Sequence, residues 1–362
     1  MRAAVLREPG GALVIEDITP AAPGPRDVVV AMGASGVCHS DMSVKEGLFA
    51  GLGLGPMVLG HEGVGTVVEV GAQVSRVAPG DRVISSFRPA CGTCRPCVLG
   101  RGHLCTALGG FLTTVRGLRA DGTAVVAMSG LGTFAEQMTC NEASVVRVDS
   151  SLPDAQLALL GCGMTTGVGA AVYTARVRPG QTVCVVGCGG VGQAVIQGAV
   201  LCGASRIFAV DPVASKRDAA VRLGATDAVD PAGAPADEQV RAATGGLGVD
   251  YAFDVVGTPD LVATTYRMIA TGGVLVLVGY GPLDAELRLP AFDLQTQEKT
   301  VKGCVAGSAQ IRRDFPRFVE LIERGRLDSA ALISQTIELS EVNAAMDAMR
   351  KGEVIRSVIT TF

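Results

Sequence analysis

Histidine is scarce in this chain: three in 362 residues, against eleven cysteines. A metal centre built here must therefore lean on thiolates. Charge is scarce too, at 18% of residues with a net charge of −4, and no long basic run occurs. That argues against a nucleic-acid partner, and no Lys/Arg-rich helix suits an anionic membrane surface. Every longer apolar stretch is broken by glycine or charge, which leaves no membrane-spanning helix. The opening run Ala3-Ala4-Val5-Leu6 gives way to Arg7, Glu8 and Pro9, too short for the core of a secretory signal. Internal repeats and low-complexity tracts are missing as well.

What remains is a well-buried globular chain, 48% hydrophobic and long enough to divide into two domains. Unpaired thiols in this number fit a reducing compartment, so the expected location is cytoplasmic. Residues 1 to about 150 read as mostly β, in short runs between Pro/Gly turns at 22–25, 78–81 and 120–123. Near Arg178 the rhythm changes. Strands at Val183–Val186, Ile207–Val210, Tyr251–Val256 and Val274–Val278 alternate with Ala-rich helical stretches. That is the pattern of a parallel α/β sheet with crossover helices. Beyond about residue 300 mixed α and β returns, with helices expected around Phe315–Glu323 and Glu341–Met349.

The run from Val183 to Ile196 carries Gly187, Gly189 and Gly192 in GxGxxG spacing, with Gly190 and Val191 between them. An apolar strand precedes it and a helix follows, the context that a dinucleotide fingerprint requires. Gly187 allows the tight turn, Gly189 lets a pyrophosphate approach the backbone, and Gly192 lets helix and strand pack. The helix N-terminus adds free N–H groups for the phosphates. Nineteen residues past Gly192, Asp211 ends the next strand. Its carboxylate would accept adenosine ribose hydroxyls and repel a 2′-phosphate, favouring NAD over NADP.

Cys91, Cys94, Cys97 and Cys105 form Cys-x2-Cys-x2-Cys-x7-Cys, the spacing of a closed four-thiolate site. An iron–sulfur cluster would take the same ligands. The Pro/Gly-rich lobe with Arg95 and Arg101 favours a structural zinc. Cys38, His61 and Cys162 are far apart in sequence but sit in polar, Gly-rich settings, with Ser40 and Asp41 after Cys38 and Glu62 after His61. Two thiolates and one imidazole would leave a zinc with an open position. Cys140, Cys184, Cys188, Cys202 and Cys304 read as small packed hydrophobes.

These stretches, with Gly60-His61-Glu62 and the run Leu160–Gly167, give the chain an end-to-end resemblance to the zinc-dependent alcohol dehydrogenases of the medium-chain dehydrogenase/reductase superfamily. Asp211–Arg217 and Glu298–Gly303 most resemble actinobacterial nicotinoprotein-type members, which retain their coenzyme; mycothiol- or glutathione-dependent formaldehyde dehydrogenases are also similar. The resemblance implies α/β and β architecture: a GroES-like catalytic domain with an inserted Rossmann coenzyme domain, a doubly wound parallel sheet. Its parts would be 1–163, with a structural-zinc lobe at about 88–106, then 164–303, and 304–362.

It further implies two zinc ions per chain, the catalytic one on Cys38, His61 and Cys162, completed by water or Glu62, with Asp41 holding His61. Lys216 would join Asp211 at the ribose, His39 and Arg356 would lie near the pyrophosphate, and Thr166 and Val191 against the nicotinamide. Ser40 would take the proton of the alcohol, but the relay histidine of many relatives is Ser43 here. Phe49, Phe87, Met164 and Tyr280 would line a mostly apolar pocket for primary aliphatic or aromatic alcohols and aldehydes. The strand in 273–279 would lie at a sheet edge that pairs with a second copy, giving a homodimer or a tetramer of two dimers. A thiol-adduct formaldehyde dehydrogenase is the alternative within the enzyme class. A non-catalytic zinc- and dinucleotide-binding protein is the alternative outside it, against which the retained open-site ligands and Ser40 argue.

Overall fold

The computed structural model of the chain describes residues 1–48, 51, 55–108 and 114–362. The first part is β-rich, as its turn spacing suggests. Strands β1 (Arg2–Leu6), β2 (Leu13–Pro20) and β3 (Asp27–Gly36) lead into α1 (His39–Lys45). Then come β4 (Met57–Val58), β5 (Glu62–Val70), β6 (Arg82–Ser85), α2 (Arg95–Val98), β7 (Val115–Arg119), β8 (Ala124–Ala127), β9 (Gln137–Asn141), β10 (Val145–Arg147) and α3 (Asp154–Ala158).

The α/β part opens with α4 (Gly163–Gly169) and a π-helical turn at Ala170–Ala175. It alternates β11 (Thr182–Val186), α5 (Gly190–Leu201), β12 (Arg206–Val210), α6 (Ala214–Arg222), β13 (Asp227–Val229) and α7 (Ala236–Ala243). It continues with β14 (Val249–Asp254), α8 (Pro259–Met268), β15 (Ile269–Leu277), α9 (Ala291–Thr296) and β16 (Thr300–Gly303). The chain then adds α10 (Ile311–Glu323), β17 (Ile333–Glu338), α11 (Val342–Arg350) and β18 (Arg356–Thr361).

Two compact units result: residues 1–163 together with 310–362, and residues 164–309. In the first, β1, β2, β7, β8 and β4 close into a barrel. A second sheet runs β10-β6-β5-β3-β18-β17, with β9 also on β3. The late strand β18 reaches back to pair antiparallel with β3, Val358 opposite Gly36 and Ile359 opposite Ser35. In the second unit six parallel strands run in the order β13-β12-β11-β14-β15-β16. Strand order reverses between β11 and β14, the switch point at which open α/β sheets present ligand sites. Val183, Cys184 and Val185 are fully buried, as strands covered on both faces must be.

Three details differ from the sequence reading. Strand β14 stops at Asp254 rather than Val256, because the Asp254 carboxylate accepts the Val256 and Gly257 N–H groups (3.1 and 2.6 Å) and turns the chain. Helix α10 starts at Ile311, four residues before Phe315, since Pro316 sits early enough in the helix to be accommodated. The sheet edge is held by β16, not by β15, which lies between β14 and β16. After β16 the second unit runs on to Ala309, where Ser308 Oγ lies 2.8 Å from Thr174 Oγ1 of the π-helical turn. Among the described residues no single helix is long and apolar enough to cross a membrane.

Candidate functional site

At the end of β3 the chain turns into α1 with Cys38 as the N-cap. The Asp41 carboxylate makes this turn. Its Oδ2 accepts the Cys38 N–H at 2.8 Å, while Oδ1 accepts the Gly60 N–H at 3.1 Å and lies 2.9 Å from His61 Nδ1. One fully buried acid thus ties the segment carrying Cys38 to the segment carrying His61. With Nδ1 engaged by Asp41, the His61 ring presents Nε2. Cys162 follows the short 3-10 turn Leu159–Gly161, which lies against Glu62 and Ser85 backbone so closely that a Cβ on Gly161 would stand 2.9 Å from Glu62 Cα.

These segments bring Cys38, His61, Glu62 and Cys162 together, with one ligand atom from each within 4.8 Å of all the others. All four are buried. The two thiols titrate as a pair: the Cys162 hydrogen bond holds Cys38 well below the ordinary thiol range, and the Cys38 thiolate together with burial pushes Cys162 up. Burial alone would drive His61 toward its neutral form, but the Asp41 charge and hydrogen bond outweigh it and hold the imidazole well above its ordinary value. Burial pushes Glu62 up to about 7 against the pull of Arg356. Glu62 Oε1 accepts from the Gly163 N–H (2.8 Å) and Arg356 Nη2 (3.0 Å), whereas Oε2 is buried with no hydrogen-bond partner among the described residues. An orphaned carboxylate oxygen beside two thiols and an imidazole is costly in a protein interior unless a cation completes the group. The donor set fits zinc.

Around this cluster, Ser40 Oγ lies 3.9 Å from Cys38 Sγ, and the Phe87 ring stands edge-on to His61 with centroids 5.7 Å apart. Ser43 turns back on its own helix and donates to the His39 carbonyl at 3.0 Å; His39 itself is exposed. Arg356, expected beside a pyrophosphate, is only 4% exposed, and its guanidinium is occupied by Glu62 and by the Val37 carbonyl (2.9 Å). Met164, expected in a pocket wall, is fully buried and serves as core. Tyr280 is exposed, and Phe49 lies outside the described residues.

In the second thiol cluster the sulfurs of Cys91, Cys94, Cys97 and Cys105 also lie within 4.8 Å of one another, but the group is half-buried. Its Sγ atoms approach in pairs, Cys91 to Cys97 at 3.9 Å and Cys94 to Cys105 at 3.8 Å. The Cys91 sulfur accepts the N–H groups of Thr93 and Cys94, both at 3.3 Å, and the Cys105 sulfur accepts the Cys91 N–H at 3.4 Å. Hydrogen bonds from the Thr93 hydroxyl and the loop N–H groups hold Cys91 down at about 5. The loop thus stabilises the Cys91 thiolate, the form that binds metal, whereas burial and the neighbouring sulfurs push Cys97 up to about 12.

In the second unit, Gly187 has φ +91° and Gly192 has no room for a side chain, since a Cβ there would stand 1.9 Å from the Gly187 carbonyl. A Cβ on Gly189 would meet nothing within 4 Å; that open position lies at the N-cap of α5, followed by Gly190 and the half-buried Val191. Asp211 ends β12 with Oδ2 accepting the Cys188 N–H and Oδ1 the Val213 N–H, both at 2.8 Å. Lys216 follows in the first turns of α6, half-exposed. Thr166 Oγ1 is buried and has no partner among the described residues. An open cradle at a helix N-terminus, an acid at the next strand end and an orphaned hydroxyl suit a dinucleotide.

The family model for an alcohol dehydrogenase GroES-like domain matches residues 24–150, and that for a zinc-binding dehydrogenase matches residues 190–324. The chain is 39% identical over 369 residues to the NDMA-dependent alcohol dehydrogenase of Amycolatopsis methanolica, covering 99% of this chain and 98% of the relative. It belongs to the zinc-dependent alcohol dehydrogenases. It is also 37% identical over 373 residues to S-(hydroxymethyl)glutathione dehydrogenase of Synechocystis, covering 99% of each chain. Among solved structures, benzyl alcohol dehydrogenase of Acinetobacter calcoaceticus superposes with a TM-score of 0.92 at 28% identity, covering 100% of this chain and 99% of that one. This alcohol dehydrogenase is therefore an oxidoreductase of a family that uses zinc and a nicotinamide cofactor.

Two features escaped the sequence reading of this alcohol dehydrogenase. The Glu62–Arg356 pair joins residues 294 positions apart, a separation that no motif spacing marks. Arg217 donates to the Asp211 carbonyl at 2.6 Å and to Asp230 at 2.7 Å, bracing the end of β12. For Asp41, removal of the carboxylate by Asp41→Ala strands three donors and should cost about 3–5 kcal/mol, read from urea unfolding. Asp41→Asn, which keeps the shape and one acceptor oxygen, should cost clearly less.

Proposed function

We propose that the chain is an NAD-linked zinc alcohol dehydrogenase that interconverts primary aliphatic or aromatic alcohols and aldehydes in the cytoplasm. The observation that carries this reading is the buried group of Cys38, His61, Glu62 and Cys162 around an unpartnered Glu62 oxygen. In this reading Cys38, His61 and Cys162 hold the catalytic zinc, Glu62 Oε2 supplies or yields the remaining position, and Cys91, Cys94, Cys97 and Cys105 hold a second, structural zinc. Bound there, zinc would supply Lewis acidity toward an alcohol oxygen, and a nicotinamide would supply a hydride acceptor.

The chain's own residues orient and exclude. Asp41 fixes the ring of His61. Phe87 sets an apolar wall against it, which suits an uncharged alcohol. Ser40 is the hydroxyl placed to take the alcohol proton, and Ser43, turned back onto the His39 carbonyl, does not extend that relay. Asp211 and Lys216 face the adenosine ribose, Gly187 to Gly192 the pyrophosphate, and Thr166 and Val191 the nicotinamide.

Metal analysis should find two zinc ions per chain. Cys38→Ala should abolish turnover and remove one zinc with the fold largely intact. Cys97→Ala should lower thermal stability instead. Equal destabilisation by the two would contradict the division of roles.

The relative named for a glutathione adduct motivates one alternative substrate, a hydroxymethyl-thiol conjugate. Adding a primary alcohol to purified protein without free NAD should produce reduced-nicotinamide absorbance if coenzyme is retained. With NAD supplied, free alcohols should react faster than the thiol adduct, and the opposite order would favour the alternative.

We also propose a homodimer, paired through the edge strand β16 and the exposed Leu283, Leu287 and Phe292 in the segment before it. Phe292→Asp should lower the mass in solution toward that of one 36.9 kDa chain, read by light scattering. An unchanged mass would exclude this face.

A further inference from the structure

Two loops of the second unit, the Gly-rich loop before α5 and the segment after β12, are joined by a side chain that the catalytic reading leaves unused. Gln193, in the first turn of α5, is fully buried. Its amide Nε2 donates to the Cys188 carbonyl at 3.0 Å and to the Lys216 carbonyl at 2.8 Å. Its Oε1 is buried with no partner among the described residues, so the amide serves through its donors. A methionine or leucine would fill the space without desolvating an amide, and a glutamate would set a carboxylate against two carbonyls.

The same residue is gripped from its other side, since Asp211 Oδ2 accepts the Cys188 N–H at 2.8 Å. Asp211 is itself anchored: its Oδ1 accepts the Val213 N–H at 2.8 Å, and its carbonyl accepts from Arg217 at 2.6 Å. The result is a closed circuit running Cys188, Asp211, Lys216, Gln193 and back to Cys188. Segment 211–217 cannot move without carrying the peptide that precedes Gly189.

We propose that Gln193 is a positioning residue that fixes the spacing between the phosphate-facing Gly-rich loop and the ribose-facing segment Asp211–Lys216. One amide thereby sets both the affinity for the dinucleotide and the preference for an unphosphorylated adenosine ribose. This rests on the NAD reading given above.

The test is a fluorescence titration of NADH and NADPH into wild type and Gln193→Met after exchange of any retained coenzyme, with ADP-ribose as competitor. Loss of two ordinary hydrogen bonds predicts about a tenfold rise in Kd for NADH. ADP-ribose should weaken alike, and the ratio of Kd for NADPH to Kd for NADH should fall because the Asp211–Lys216 segment is no longer tied at Lys216 to the Gly-rich loop. A folded variant with unchanged Kd values overturns the proposal. So does equal weakening of both nucleotides with the ratio preserved, which is what general loosening would produce. Should Gln193→Met not fold, Gln193→Asn is read in the same way, since its amide is one methylene short of both carbonyls. A wild type that binds neither nucleotide would instead sink the NAD reading itself.

Discussion

The first unit depends on a carboxylate that has lost all its water. Asp41 is fully buried, and its two oxygens take up the Cys38 N–H, the Gly60 N–H and the His61 ring nitrogen. Those contacts do three things that would otherwise need separate devices. They cap α1, hold the loop before β5 against the end of β3, and decide which nitrogen His61 turns away from the acid. A thiol and an imidazole that are twenty-three positions apart become neighbours for this reason. The cost of burying the charge is offset because every lone-pair direction it uses meets a fixed donor.

A second buried acid in the same place behaves in the opposite way. Glu62 has one satisfied oxygen and one left without a partner, and a single guanidinium, Arg356, faces it. The two carboxylates thus separate by environment: Asp41 is a structural tie, whereas Glu62 keeps an unused acceptor beside the thiols. Only the second has something to offer an incoming cation.

The chemistry-bearing residues were largely legible in the sequence because they lie in motifs. The four-thiolate spacing, the GxGxxG run after an apolar strand and the acid at the next strand end each carry their own context. What could not be read was long-range. Arg356 lies 294 positions from its partner, and no local pattern distinguishes an arginine that balances a buried acid from one that faces solvent. Met164 and Phe87 look alike in sequence, both apolar beside site residues, yet Phe87 stands edge-on to His61 while Met164 is fully buried as core. The edge of the parallel sheet was misplaced because β16 is four residues long, too short to stand out beside the nine residues of β15.

The pairing of β18 with β3 also orders events on the ribosome. Residues 164–309 emerge as a complete unit before β18 has been made, and its six-stranded sheet uses no strand from outside that range. The N-terminal part, by contrast, must wait with the β18 side of β3 open and with Glu62 lacking its counter-ion, because Arg356 is the first residue of the strand that closes it. The nascent chain can therefore complete its inserted unit before the pairing of β18 with β3 closes the other.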